Sequence, residues 1–283
     1  MRPCSPFPTG AAVWFRATLV AGALAGGAVG LAGDDPAPAN AAVLLRVETE
    51  LSEGSAPEPV ARSLTLFQDG VAWNFLEPST VADEAVPGSE IVLHDPARGR
   101  VVVIDPARRV RTEIPATRLA RVLASLRTWA EGSDDPLVRW SASATCPAAD
   151  PSADDAIVVE GPGVRYAVAA LPAPTPGAAE QYRSFADVAL GLRALTHPGG
   201  VPPFARIAIN RQLAAANLLP ETVTLELDGP GLGQSRVLRS RHRFAPRLDA
   251  TDQRRIESAS ALLAVAEVVD AETYAGRNAT AER

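Results

Sequence analysis

EIVLHDPARGRVVVIDPARRVRTEI, running from Glu90 to Ile114, is the stretch that sets the fold class. Asp95-Pro96-Ala97-Arg98 is repeated ten residues later as Asp105-Pro106-Ala107-Arg108. Proline presets φ for the second position of a turn, and an aspartate just before it caps that turn. Each repeat therefore reads as a chain reversal. The β-branched runs around them, Glu90–Leu93, Val101–Ile104 and Val110–Ile114, read as three short strands of an antiparallel meander.

Upstream the same chemistry continues. Val43, Leu45, Val47 and Thr49 alternate with Leu44, Arg46, Glu48 and Glu50, a period of two with one apolar face. Ser63–Gln68 and Val71–Leu76 flank Asp69-Gly70, a two-residue hairpin signal. Downstream, Leu119, Val122, Leu123, Leu126 and Trp129 share one face of a helix that Thr117 can cap and Gly132 ends. Leu137–Thr145 reads as a strand and Cys146–Asp155 as a loop. Ala156–Glu160 and Val164–Leu171 read as a hairpin around Gly161-Pro162-Gly163.

Helices are expected over Ala178–Thr196, with Tyr182, Phe185, Val188, Leu192 and Leu195 on one face, and over Pro203–Ala216. After Pro220 the alternation of strands returns, with Val223, Leu225 and Leu227 on one side, a glycine-rich turn at Gly229–Gly233, and a strand over Arg236–Phe244. A last helix is expected over Asp252–Val269, with Ile256, Leu263 and Ala266 inward. Strands in runs followed by helices argue for an α+β fold: a largely antiparallel curved sheet, half-barrel-like, of nine or ten strands with about four helices packed on it.

The first 41 residues carry an address. Arg16 precedes the apolar run Ala17–Gly33, and Ala39-Asn40-Ala41 supplies small residues for cleavage. That is the layout of a secretory signal peptide. Cleavage after Ala41 is expected, with Ala32 as the competing site and a retained anchor as the other outcome. The run is short and rich in Ala and Gly for a membrane span. The expected organisation is a leader over 1–41, one domain over 42–274 and a loose tail over 275–283. The working protein is then exported, periplasmic or extracellular, and touches the membrane only through export or an uncleaved anchor.

The 283 residues carry a formal charge of −6, and all 27 basic residues are arginines. An exported, mildly acidic chain has no general attraction for nucleic acid. Without lysine there is no Schiff-base or phosphate-loop lysine. Cys4 lies in the leader, so Cys146 has no partner in the mature chain and reads as a spectator thiol. His94, His197 and His242 show no metal-ligand spacing, and neither a metal nor a cofactor is expected. Gly229-Pro230-Gly231-Leu232-Gly233 lies between strands and lacks the following helix that a phosphate loop needs. There is no nucleophile elbow, zinc-protease helix or Walker sequence, so a non-enzymatic role is expected.

Two sets of side chains remain as candidates for binding. Trp73 and Phe75, on one face of their strand, together with Leu123, Leu126 and Trp129, could wall an apolar cavity; filled core is the plainer reading. Arg239, Arg241 and Arg243 share one strand face. They read as a solvated face paired with Glu226 and Asp228, or as a contact for an anionic surface such as lipid headgroups or an acidic partner.

Leu66-Phe67-Gln68-Asp69-Gly70-Val71-Ala72-Trp73-Asn74-Phe75 resembles the Trp-bearing hairpin of the LolA/LolB-like periplasmic lipoprotein carriers. Arg100 to Pro115, a strand, a DP-basic turn and a strand ending in Thr-Glu-Ile-Pro before a helix, resembles a related secreted set. The resemblance implies a half-barrel with helices over an apolar hollow, and binding of a lipid, an acyl chain or a lipoprotein without catalysis. The expected function is therefore an exported protein that binds an apolar ligand. The alternatives are an envelope scaffold with a filled core and a secreted hydrolase.

Overall fold

The computed structural model describes residues 43–54, 58–77, 90–149, 156–196, 200–228 and 235–280, the last five without their side chains. The expected leader, the glycine-rich turn at 229–233, His197 and the sequence beyond 280 lie outside the described residues. The chain builds β1 (Leu45–Glu53), β2 (Ala61–Gln68), β3 (Val71–Glu77), β4 (Ile91–Asp95), β5 (Arg100–Asp105), β6 (Val110–Pro115), α1 (Ala116–Glu131) and α2 (Pro136–Ser143). It continues through β7 (Ile157–Gly161), β8 (Val164–Pro172), α3 (Ala178–Thr196), α4 (Phe204–Ala215), β9 (Leu218–Leu227) and β10 (Arg236–Ala245). It closes with α5 (Ala250–Val265), the two-residue β11 (Glu267–Val268) and α6 (Ala271–Thr280).

The eleven strands form one unclosed sheet in the order β11-β6-β5-β4-β3-β2-β1-β10-β9-β8-β7. Every pairing is antiparallel except the short parallel contact of β11 with β6. The α+β class and the largely antiparallel sheet are as the sequence predicts. Six helices, not four, are present among the described residues.

The turns behave as their chemistry demands. Asp69 and Gly70 take φ of 53° and 75°, the left-handed pair of a two-residue hairpin. In the repeated turns, the Asp95 carboxylate accepts the Arg98 backbone N–H at 3.1 Å and that of Asp105 accepts the Arg108 N–H at 2.9 Å. Each aspartate also holds its arginine's guanidinium, at 2.8 Å and 2.6 Å.

Alternation sorts the strands onto two faces. Leu45, Val47, Phe67 and Ala72 meet Ala178, Tyr182 and Phe185 of α3. Val101, Val103, Val110 and Ile114 pack under Tyr274 of α6 and Val188, Leu192 and Leu195 of α3. Tyr166, Val168 and Val223 lie beneath Ile209 and Leu213 of α4. On the opposite face, Leu64, Leu66, Trp73, Ile91, Leu93, Val102 and Ile104 form an apolar patch covered by Ile256, Ala259, Leu262, Leu263 and Ala266. That second cover comes from α5 and its last residues.

Five local readings are corrected. Leu137–Thr145 is not a strand: the Asp135 carboxylate caps the N–H groups of Leu137 and Val138, Pro136 starts the first turn, and α2 results. Thr117 does not cap α1; Pro115 holds that place and Thr117 lies within the first turn. Helix α5 begins two residues earlier than expected, because Asp249 and Asp252 form a reciprocal capping box, and it stops at Val265. Helix α6 then occupies the stretch in which a tail was expected from 275 onward. Strand β9 also starts before Pro220, which it tolerates beside a bulge at Ala169 and Ala170 of β8.

Candidate functional site

The five expected cavity residues go to three places. Trp73 and Phe75 lie on the face under α5. Leu123 and Leu126 pack in the helix layer on the other face, with Ala130, Ala142 and Phe204. Close approach fixes that layer: a Cβ on Gly191 of α3 would sit 3.0 Å from a Leu123 methyl. Trp129 is 59% exposed on α1. They do not line one hollow.

One of them, Phe75, does line a groove of about 370 Å³. It runs between α5 and the ends of β3 and β4. Ile91, Pro106, Ala259 and Leu262 supply the rest of its apolar wall, and Ser258, Arg254 and Arg255 its rim. Its elements come from far apart in the chain: β3 and β4 form by local hairpins, and α5 is laid over them from the C-terminal end.

A charged cleft of about 470 Å³ adjoins this groove, and Thr251 and Arg255 of α5 line both. Arg46, Arg62, Arg243 and Arg255 face Glu48, Glu50, Glu77, Asp249 and Asp252 across it. Two of the carboxylates are committed. Asp252, nearly buried, holds Arg46 Nε at 3.1 Å and accepts the Asp249 N–H at 3.1 Å. Asp249 accepts the N–H groups of Thr251 and Asp252, and these bonds hold its carboxyl below the usual range. Arg46 also binds Glu48 at 2.7 Å. The remaining ion pairs are long: Arg62–Glu50 is 3.6 Å, Arg243–Glu48 is 3.7 Å, Arg243–Glu50 is 3.9 Å and Arg255–Glu77 is 4.0 Å.

Arg239, Arg241 and Arg243 do share one exposed face of β10. Their neighbours differ from the sequence expectation. They stand opposite Ser52, Glu50 and Glu48 of β1, and Glu226 of β9 pairs instead with Arg165 of β8 at 3.5 Å. The side chains of Arg239 and Arg241 hydrogen-bond or ion-pair with no described residue.

The two described histidines, His94 and His242, are packed groups. His242 is buried on the opposite face, within 3.1 Å of Thr49 Oγ1 and of Ser240 Oγ and 3.4 Å from the Tyr182 hydroxyl. Burial, with a smaller push from Arg206, lowers it to about 3, so it stays neutral. His94 is likewise buried and shifted down by desolvation. Cys146 is half-buried, and desolvation raises its thiol. Among the described residues no group of three or more His, Cys, Asp or Glu is placed to hold a metal ion. No described helix is long and apolar enough to cross a membrane.

No family model matches the chain, and no curated protein matches it. The site therefore rests on its geometry. Sequence reading missed both the groove and the cleft. Two signals pointed there: Phe75, expected in a cavity wall, lines the groove, and Arg243 of the period-two arginine stripe reaches the cleft.

Proposed function

We propose that the chain is an exported, non-enzymatic protein that binds a lipid or another apolar ligand, and that the groove beside α5 receives the apolar part. The observation that carries this reading is the groove itself: an apolar wall of Phe75, Ile91, Pro106 and Leu262 around about 370 Å³. That volume lies in the range of small-molecule pockets. The resemblance to the LolA/LolB-like carriers points the same way, and Phe75, the last residue of its hairpin, lines the groove. The open eleven-stranded antiparallel sheet agrees with the half-barrel that the resemblance implies.

Native mass spectrometry of the exported protein tests the reading. The expected result is an added mass matching a single lipid or fatty acid, lost on delipidation and absent in Ser258→Trp. Ser258 is an exposed rim residue of α5, so the indole blocks the groove without entering the core. A clean mass for both proteins, unchanged by added fatty acid, would refute it.

Arg239 and Arg241, whose exposed side chains pair with no described residue, favour a second role, contact with an anionic surface. In that case the Arg239→Gln/Arg241→Gln protein loses sedimentation with phosphatidylglycerol vesicles at low salt. Equal sedimentation of both proteins would exclude it.

A further inference from the structure

We infer that the outer face of α1 is the surface through which two copies of this chain pair, their α1 helices antiparallel about a two-fold axis at Ser125. The inference stands apart from the ligand reading above. Three observations carry it.

The first is what the face exposes. Helix α1 buries Leu119 and Ala130 and turns Arg121, Ser125 and Trp129 outward. Trp129 is 59% exposed and stacks on no described ring. Tryptophan is among the residue types most enriched where protein partners are anchored. Ala124 and Ser125, both exposed, are small, so a second helix can approach closely there.

The second is the order of charge. Arg118 lies in the first turn of α1 and Arg121 in the next, while Glu131 ends the helix. That order opposes the helix dipole, which favours acids at the start and bases at the end. Arg118 and Glu131 ion-pair with no described residue, and Arg121 reaches only the Thr117 carbonyl, at 3.4 Å. Arg127, by contrast, is used within the chain: it donates to the Ala142 carbonyl at 3.0 Å and lies 4.4 Å over the Phe204 ring. An antiparallel neighbour corrects both ends of α1 at once. It sets the partner's Glu131 beside Arg118 and the partner's Arg118 beside Glu131.

The third is self-complementarity. With the axis at Ser125, Arg121 comes over the partner's Trp129, and the same cation–π contact is made in the other direction. The face thus carries both halves of its own complement, which is what a two-fold contact requires. A partner of a single charge sign would satisfy one end of α1 and repel the other. The helix has 16 residues, so the contact is small and reversible pairing in the micromolar range is expected.

Sedimentation velocity of the exported protein over a concentration series tests the inference. A monomer that becomes a dimer as concentration rises is expected. Trp129→Ala, which leaves the fold intact, should weaken pairing about tenfold or more. Arg118→Glu and Glu131→Arg should each weaken it, and the two combined in one chain should restore it, a recovery that damage to the fold would not produce. Ser125→Cys should give a reducible covalent dimer under mild oxidation, whereas Ser260→Cys, exposed on α5, should not. A monomer at every concentration would overturn the inference. A dimer indifferent to Trp129→Ala and to the charge swap, or a Ser125→Cys protein that crosslinks no better than Ser260→Cys, would place any pairing elsewhere and overturn it too.

Discussion

Arg46 of β1 and Asp252 of α5, 206 residues apart, meet with Nε 3.1 Å from Oδ2. Asp252 has 3% of its side chain exposed and Arg46 28%. This pair and the capping box fix the start of α5 over the sheet, and both the groove and the cleft depend on that position. Asp252→Asn keeps an acceptor for the cap and removes the charge. It should cost about 1–2 kcal/mol in urea unfolding, because the charge-assisted bond from Arg46 Nε is weakened and Glu48 alone is left to balance that guanidinium. An unchanged midpoint would show that α5 is held by its apolar face alone.

Two tryptophans make a sharp contrast. Trp73 is 7% exposed beneath α5, whereas Trp129 is 59% exposed on α1. Trp73→Ala should destabilise by about 3–5 kcal/mol. Trp129→Ala should stay within about 0.5 kcal/mol of the native protein. Similar losses from both substitutions would contradict the placement of α1.

Gly161 at the end of β7 lies flat against the Trp140 indole of α2. A Cβ there would come within 2.3 Å of two ring atoms. Gly161→Ala should therefore lose about 1–3 kcal/mol and shift the Trp140 emission as the ring moves. Gly132, which has only backbone at 3.8 Å, should accept alanine with little effect and serves as the control.

His242 gives a signed pH dependence. In the folded protein burial holds it down at about 3, against about 6.5 in the unfolded chain. Below about 6.5 the unfolded chain gains a proton that the folded protein refuses until about 3, so the contribution is full at neutral pH and is lost as pH falls across that window. His242→Gln removes this slope. The stability gap between native and variant should therefore narrow by up to about 1.4 kcal/mol per pH unit on acidification. Comparing the two proteins cancels Glu90 and Asp187, both raised by burial. A gap that stays constant from pH 7 to 4 would mean that His242 titrates normally.

Much of the sheet was legible because its signals are local. Asp69-Gly70 and the two Asp-Pro-Ala-Arg turns each name their own reversal, and period-two alternation assigns the faces. Region 137–145 was misread because Val138 and Trp140 suit a strand as well as a helix, while the Asp135-Pro136 cap that decides the matter lies just before it. The arginine stripe of β10 was found, but its partners were sought on the adjacent β9. Only Arg243 of the stripe ion-pairs, and its carboxylates lie on β1, the first strand, which no local pattern could reveal. Phe75 and Arg243 are legible as candidates, but their companions are not: Phe75, Ile91 and Leu262 share a wall only after α5 is laid across the sheet.

The place of β1 has a consequence for assembly. It lies mid-sheet, between β2 and β10, and Arg46 through Glu53 pair with Ala245 through Leu238. One side of β1 is completed by β2 soon after it is made. The other side stays a bare strand edge until almost the whole chain has arrived. Such late, non-local pairing makes folding slow and leaves an edge open to pairing with other molecules. A chain cut before residue 236 would expose that edge permanently and should aggregate instead of yielding a smaller soluble fragment. The protein cannot be completed from its N-terminal half, however well the hairpins there form.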